Sequence, residues 1–419
     1  MHGIEKTLAW AAAIVSATAF AAPIATVTQA ERDDSTGITT VEYTLSGGPA
    51  VVTMDVTTNG VSIGGTHMRR LGGDVGVKVW PGAGKKITWI PDSGLDGFKL
   101  DDASVKVVVT AWPTNNLPDY MVVDLSMTNS YRFYQYEGQL PYGVTNHMYK
   151  TGQLVMRKIP AAGSRFRMGS PADEVGRVAD DEAAHYVSFT NDFYLGIYEL
   201  TKGQLRTIFA ADAAGKANAE VLEFLPEYDE YPHEGMGYNY LRGSTAGWPG
   251  TPRGAGGSTW PAGKISAISG LVFDFPFDAE WEFACRAGEG AARYDGTNDD
   301  STLDDLAWYA GNAENSFHPV GLKKPNGWGL YDMYGNAREW THSFYQRYDA
   351  GSEQVDPVGW TGKNASGYNS DQDGGYNRIS RGGYYADSAN ECRSAFRQKT
   401  GVNTTVGMGL RLWCKAAIP

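Results

Sequence analysis

The sequence predicts an α+β protein in which a small all-β sandwich precedes a larger, loop-rich body of mixed strands and helices. Three observations carry this. From about Ile38 to Leu125, short β-rich runs are separated by turn residues at the spacing of a sandwich. Beyond Leu154, alternating apolar runs give way to helical runs preceded by capping residues. The 52 glycines stand beside 24 tyrosines and 12 tryptophans, which suits irregular backbone pinned by large aromatic side chains.

Taken in order, Thr7 to Phe20 is a short apolar run ending in the small-residue pattern Ala19-Phe20-Ala21, and residues 1–21 read as a cleaved secretory signal. The run is shorter than the ~20 apolar residues a bilayer span needs. The expected location is therefore secreted, periplasmic or at the cell surface, with no membrane span after signal cleavage. Ile38–Leu45, Ala50–Val56, Val61–Ile63, Lys86–Ile90, Val105–Trp112 and Tyr120–Leu125 read as strands of a β-sandwich domain over 36–127. Asn59-Gly60 is the dipeptide of a type I′ hairpin turn between two of them. No histidine, cysteine or carboxylate cluster falls in this region, so it reads as a binding or spacer module. A linker over 128–153 carries Tyr131, Tyr134, Tyr136, Tyr142 and Tyr149, aromatics expected to dock it against one domain.

A chain of 419 residues is long enough for two or three buried cores. Charge is acidic, 36 Lys and Arg against 48 Asp and Glu, with no basic stripe to follow a phosphate backbone, so nucleic acid is excluded as a partner. Export into an oxidising space would let two of the three cysteines pair, and Cys392 with Cys414 form the expected disulfide. Cys285, inside the apolar Trp281-Glu-Phe-Ala-Cys285, reads as a buried free thiol.

From Leu154 onward the landmarks are Phe166-Arg-Met-Gly-Ser170, an acidic loop with Glu174 and Asp180-Asp-Glu182, and the strand Phe193 to Thr201, with Thr201 placed to cap a following helix through Gln204. Then come a Gly- and Pro-rich stretch, Gly243 to Gly257, and a short helix at Lys264–Gly270. Phe273-Asp-Phe-Pro-Phe-Asp-Ala-Glu-Trp-Glu-Phe-Ala284 follows, with Asp278 read as its N-cap. Asn326-Gly-Trp-Gly-Leu-Tyr-Asp-Met-Tyr-Gly-Asn-Ala-Arg-Glu-Trp340, Arg381-Gly-Gly-Tyr-Tyr-Ala-Asp-Ser-Ala-Asn-Glu-Cys392-Arg-Ser-Ala-Phe-Arg397 and Gly409-Leu-Arg-Leu-Trp-Cys414 close the chain. In this order the segments resemble the formylglycine-generating, or sulfatase-modifying-factor, family. The resemblance covers 154–419 and implies a C-type-lectin-like fold of twisted antiparallel sheets with flanking helices.

The same resemblance bears on chemistry. In the formylglycine-generating enzymes two cysteines after the Gly-Gly pair bind copper(I) and activate oxygen; they fall here on Asp387 and Cys392, and the serine that follows the glycines falls on Tyr384. Copper(I) is a soft ion that selects thiolates, and a hard carboxylate in place of one sulfur removes most of the affinity. Copper is therefore not expected. The family's calcium site maps onto Asp332, the carbonyls of Gly335 and Ala337, and Glu339, an oxygen set of the kind a hard cation takes. Tyr384, Tyr385, Asp387, Ser388, Asn390 and Cys392 fall where the family's cleft is built and form the candidate pocket. Arg381, Arg393, Arg397 and Arg411 read as partners of nearby carboxylates rather than an anion pocket.

The expected function is that of an exported family member without the copper-dependent cysteine-to-formylglycine oxidase activity, binding a protein, peptide or glycan ligand or running a divergent modification. Two alternatives stand beside it: an oxygen-dependent oxidase that generates formylglycine in sulfatases, and a structural or surface-assembly protein with the β-sandwich as its working part.

Overall fold

The computed structural model describes residues 21–91, 100, 102–210, 226–242, 260–345, 347–348, 351, 353–357 and 377–418. The expected signal segment, apart from Ala21, and the Gly- and Pro-rich stretch from Gly243 to Gly257 lie outside the described residues. No helix among the described residues is long and apolar enough to cross a membrane.

Among the described residues eight strands fill the N-terminal part: β1 (Ile24–Arg32), β2 (Thr39–Ser46), β3 (Ala50–Thr58), β4 (Val61–Ser62), β5 (Leu71–Gly73), β6 (Lys78–Val79), β7 (Gly82–Trp89) and β8 (Val105–Pro113). They form two sheets, β1-β2-β7-β5 and β4-β3-β6, with β8 also on β3. Strand β2 alternates buried and half-buried residues, and its Val41, Tyr43 and Leu45 pack with Val52, Met54, Ile87 and Trp89 of both sheets. That period-2 burial is what the sequence pattern anticipated. Asn59 (φ 52°) and Gly60 (φ 80°) both take the left-handed conformation that a type I′ turn demands. Strand β1 was not anticipated: Ile24-Ala-Thr-Val-Thr-Gln-Ala-Glu-Arg32 buries no residue fully, as suits a sheet edge.

The described residues of the rest are built on thirteen strands. These are β9 (Tyr120–Asp124), β10 (Tyr131–Tyr134), β11 (Gln153–Ile159), β12 (Arg165–Met168), β13 (His185–Ser188), β14 (Phe193–Gly196), β15 (Phe273–Asp274), β16 (Arg338–Phe344), β17 (Gln354–Val355), β18 (Asn377–Arg381), β19 (Arg397–Gly401), β20 (Met408–Gly409) and β21 (Trp413–Lys415). They form a six-stranded sheet β10-β9-β11-β14-β21-β15, a three-stranded sheet β12-β13-β17 and a four-stranded sheet β19-β18-β16-β20. Strand β9, expected with the N-terminal set, pairs with β11 instead, Val123 opposite Leu154. The reason is its apolar face: Met121, Val123 and Leu125 are buried with Tyr194, Leu200, Trp340 and Met408. β10 follows it into the same sheet, so the expected linker contributes a strand there.

Among the described residues five α-helices flank these sheets: α1 (Lys202–Ala210), α2 (Tyr238–Arg242), α3 (Pro261–Ser269), α4 (Asp278–Arg286) and α5 (Leu303–Leu306). Thr201 caps α1 as expected: its Oγ1 accepts from Gln204 N at 3.1 Å while Gln204 Oε1 accepts from Thr201 N at 3.1 Å. Helix α3 starts on Pro261 and stops at Gly270, which takes φ 71°. Asp278 differs from its expected capping role. Phe277 is the N-cap, its N–H donating to Glu280 Oε2 at 2.7 Å, and Asp278 is the first helical residue.

The carboxylate of Asp278 is needed elsewhere. It accepts from Arg381 Nε at 2.5 Å, from Arg397 Nη2 at 2.9 Å and from the Tyr348 hydroxyl at 2.8 Å. Burial alone would raise its pKa, but the two guanidiniums hold it below the usual carboxylate range. Arg381 also reaches Glu282, and Arg393 pairs with Glu174 and with Glu182 at 2.8 Å. These arginines tie the terminal strands to α4 and the acidic loop, and each loses its charge partner at a cost far above that of a surface pair.

Candidate functional site

The site grows out of two turns that meet beside β16. In the first, Asp332 (φ 53°), Gly335 (φ 71°) and Asn336 (φ 55°) all take left-handed conformations. Gly335 N donates to Gly382 O at 2.8 Å, and Asn336 N to Trp308 O at 2.8 Å. A Cβ on Gly335 would stand 1.9 Å from the Trp308 carbonyl oxygen, so only glycine fits. In the second turn Gly382 (φ 89°) and Gly383 (φ 75°) reverse the chain after β18 and deliver Tyr384, Tyr385 and Asp387 over the first.

Asp387 is the hinge of this arrangement. Its carboxylate takes the Arg338 guanidinium in a two-pronged pair, Nε to Oδ2 at 2.8 Å and Nη2 to Oδ1, and Oδ2 also accepts from Tyr384 N at 3.0 Å. The pair is nearly closed to solvent, Arg338 keeping 12% and Asp387 6% of their side-chain exposure. Burial pushes the Asp387 carboxyl up, against the pull of Arg338. The same guanidinium lies over the Tyr384 ring, 4.6 Å from its centroid. Tyr385 packs edge-on against Tyr384 at 5.0 Å and Phe317 at 4.6 Å, giving an aromatic wall of three rings.

Ser388 and Asn390 sit on the exposed side of the short 3₁₀ turn Ala389–Glu391. The Ser388 N and Oγ both donate to Glu391 Oε2, at 2.9 and 3.0 Å. Cys392 ends that turn but faces inward. It is fully buried among apolar side chains, with the position of a Gly383 Cβ 3.3 Å from its Sγ, and burial pushes its thiol up to about 12. Such a thiol stays protonated at neutral pH and is neither a nucleophile nor a ready metal ligand. Thus the structure brings Tyr384, Tyr385 and Asp387 together on one surface, puts Ser388 and Asn390 at its rim, and withdraws Cys392 beneath it.

The expected Cys392–Cys414 bridge is not formed; both sulfurs are free, as is that of Cys285. Cys414 lies on β21, inside the six-stranded sheet, and packs with Tyr194, Phe273 and Leu412. Cys392 packs in the other apolar cluster, with Leu306, Tyr334 and Trp413. An oxidising compartment would permit a bridge, but the strand positions send the two side chains into different cores.

At the expected cation site, Asp332 is buried, Oδ2 accepting from Gly321 N at 2.6 Å and Oδ1 having no partner among the described residues. An oxygen left in that state is what a hard cation would satisfy. Glu339 fits less well, because Arg411 takes both its oxygens at 2.7 to 3.1 Å and Trp281 Nε1 takes Oε2 at 2.5 Å. Glu199, which sequence reasoning missed, is the further carboxylate here. Its oxygens accept from Ala337 N at 2.8 Å and Asn336 Nδ2 at 2.7 Å. Burial and the neighbouring Asp332 charge hold it well above the ordinary carboxylate range. Among the described residues no group of three or more His, Cys, Asp or Glu side chains is arranged to hold a metal, so a cation here would lean on main-chain carbonyls.

Comparison with known proteins gives the architecture its place. The family model described as "Sulfatase-modifying factor enzyme 1-like domain" matches residues 151–416, more than half of the chain. Among curated relatives, the chaperone protein LppX of Paenibacillus barcinonensis is 29% identical over 177 residues, 36% of this chain and 61% of that protein. The formylglycine-generating enzyme of Bos taurus is 31% identical over 98 residues, 20% of this chain and 25% of that protein. The inactive C-alpha-formylglycine-generating enzyme 2 of Bos taurus is 35% identical over 94 residues, 20% and 31% respectively. The chain thus spans less than two thirds of the length of each of these relatives. Among solved structures, PvdO from Pseudomonas aeruginosa aligns with a TM-score of 0.47 and 22% identity over 62% of this chain and 94% of that one. By the extent of the family match, this chain belongs to the sulfatase-modifying-factor, or formylglycine-generating-enzyme, family.

Proposed function

We infer that this is an exported family member that has given up copper-dependent oxidation and uses the surface of Tyr384, Tyr385 and Asp387 to bind a polypeptide ligand. The observation that carries this is the fate of the two positions where the family's enzymes bind copper. One holds a carboxylate locked to Arg338, and the other holds a thiol buried and protonated. Two soft thiolates are thus replaced by a hard, already neutralised group and an inaccessible one. The aromatic wall of Phe317, Tyr384 and Tyr385 beside a charge pair has the makeup of a binding surface, apolar area with a fixed polar anchor. Similarity to a protein named a chaperone and to one named an inactive formylglycine-generating enzyme agrees with this reading. The test is titration of the full chain with copper(I) against bicinchoninate, under reducing conditions. We expect no competition; stoichiometric copper uptake, with oxygen-dependent conversion of a sulfatase cysteine peptide, would overturn the reading.

Two further parts belong to the proposal. The N-terminal strands β1 to β8, with a core of their own, are read as a separate β-sandwich domain that presents or positions the family domain. A structural calcium ion is read at Asp332, with the carbonyls of Gly335 and Ala337 and with Glu339 sharing an oxygen, Glu199 behind it. It would pin the turn that supports Arg338. Calcium should then raise the melting temperature and chelation lower it, an effect that Asp332→Ala abolishes.

A further inference from the structure

Beside β9 and β10 of the six-stranded sheet, where Val77 approaches from the N-terminal part, lies a half-open cleft of about 350 Å³. It falls in the ~300–1,000 Å³ range of small-molecule sites. A second recess of about 170 Å³ adjoins it through Arg132, Tyr134 and Pro141. None of the lining belongs to the Tyr384–Cys392 surface.

The lining combines aromatic faces with polar tips that the fold does not use. Tyr134 and Tyr142 line the cleft, with Tyr142 52% exposed and its ring 5.9 Å from that of Tyr149, while the ring of Tyr131 turns to the other face of the sheet against Phe133. Asp124 commits Oδ1 to the Ser126 N–H and hydroxyl, at 2.9 and 2.6 Å, and leaves Oδ2 without a protein donor among the described residues. The hydroxyls of Tyr134 and Tyr142 and the carboxamide of Gln153 likewise make no hydrogen bond to the described residues. Arg132 is held in place by Val75 O, at 3.0 Å from Nη1.

This chemistry selects among ligands. A purely anionic ligand would meet Asp124, and an apolar one would strand these polar groups at a cost in desolvation. A pyranose ring satisfies both halves: its C–H face stacks on a tyrosine ring, and its hydroxyls, each donor and acceptor, pair with a carboxylate, an amide, a guanidinium and phenols. We propose that this cleft is a saccharide-binding site for a neutral mono- or disaccharide unit of a glycan.

The experiment is saturation-transfer NMR and calorimetric titration of the full chain with cellotriose, chitotriose, maltotriose and xylotriose. At least one should bind, and Tyr142→Ala and Asp124→Asn should each weaken it about tenfold or more. Asn preserves the turn that Oδ1 makes with Ser126, so that variant should fold even if Tyr142→Ala does not. Tyr385→Ala, at the other surface, should leave sugar binding unchanged. Absence of binding by all four sugars, binding that survives Asp124→Asn unaltered, or loss of binding in Tyr385→Ala would each overturn the assignment.

Discussion

The Arg338–Asp387 pair gives the sharpest test of how the site is held together. Asp387→Ala leaves a guanidinium with 12% side-chain exposure above Tyr384 and removes the acceptor for the Tyr384 N–H. Removing one partner of a buried pair costs about 3–5 kcal/mol. The residual exposure of Arg338 lets water reach the orphaned charge, which places the expected loss at the lower end, about 3 kcal/mol. Arg338→Met should cost a similar ~3 kcal/mol, because Asp387 is the more deeply buried of the two but keeps its backbone donor. The double variant should fall short of the combined losses, with a coupling of about 2 kcal/mol for side chains in direct contact. Equilibrium urea unfolding followed by tryptophan fluorescence measures all three. A coupling under about 0.5 kcal/mol would show that the two groups act independently, and would remove the argument that the carboxylate is neutralised by its partner.

Other expectations follow from the same geometry. No thiol should react with a disulfide reagent in the folded chain and all three should react in denaturant, since Cys285, Cys392 and Cys414 are free and buried with raised pKa values; one reactive thiol in denaturant would restore the bridge. Gly335→Ala should cost about 3 kcal/mol or more, combining a left-handed φ with a Cβ pressed against the Trp308 carbonyl, read as a fall in thermal midpoint. Asp278 has a depressed folded pKa, so its contribution is present above the unfolded carboxylate range and lost as pH falls from about 4 through its folded value. Asp278→Asn should lower the melting temperature at pH 6 and flatten its decline below pH 4; an acid limb as steep as that of the parent would refute the assignment.

Much of the fold could be read from local pattern, because burial in strands follows a period of two. The alternation in β2, the Asn59-Gly60 turn and the Thr201–Gln204 cap are set by neighbours in sequence, and each appears in the structure. What could not be read was set by distant partners. Tyr120–Asp124 is a strand on local evidence, but its sheet is chosen by Leu154, Tyr194 and Met408, which no local pattern names. The candidate site divides the same way. Tyr384, Tyr385 and Asp387 share one surface as neighbours in sequence, whereas Arg338 enters from β16 through its pair with Asp387, and Glu199 from the strand-to-helix turn before α1 through the Ala337 N–H. The signal that could have found Arg338 was its place between two expected cation ligands, where a long cation must find an acid. Cys392 carried no sign of which core it faced.

The strand order of the six-stranded sheet bears on where this chain can be cut. The family match begins at residue 151, yet β9 and β10 lie upstream of it and cover β11, while Lys158 Nζ donates to Leu117 O at 2.5 Å and Ile418 N to Thr114 O at 3.1 Å. A fragment starting at 151 would bare the hydrogen-bonding edge of β11 and its apolar face, an invitation to intermolecular strand pairing. Recombinant family domain should therefore begin before residue 114, and the borrowed pair of strands makes the upstream region a condition of solubility for the part that resembles an enzyme.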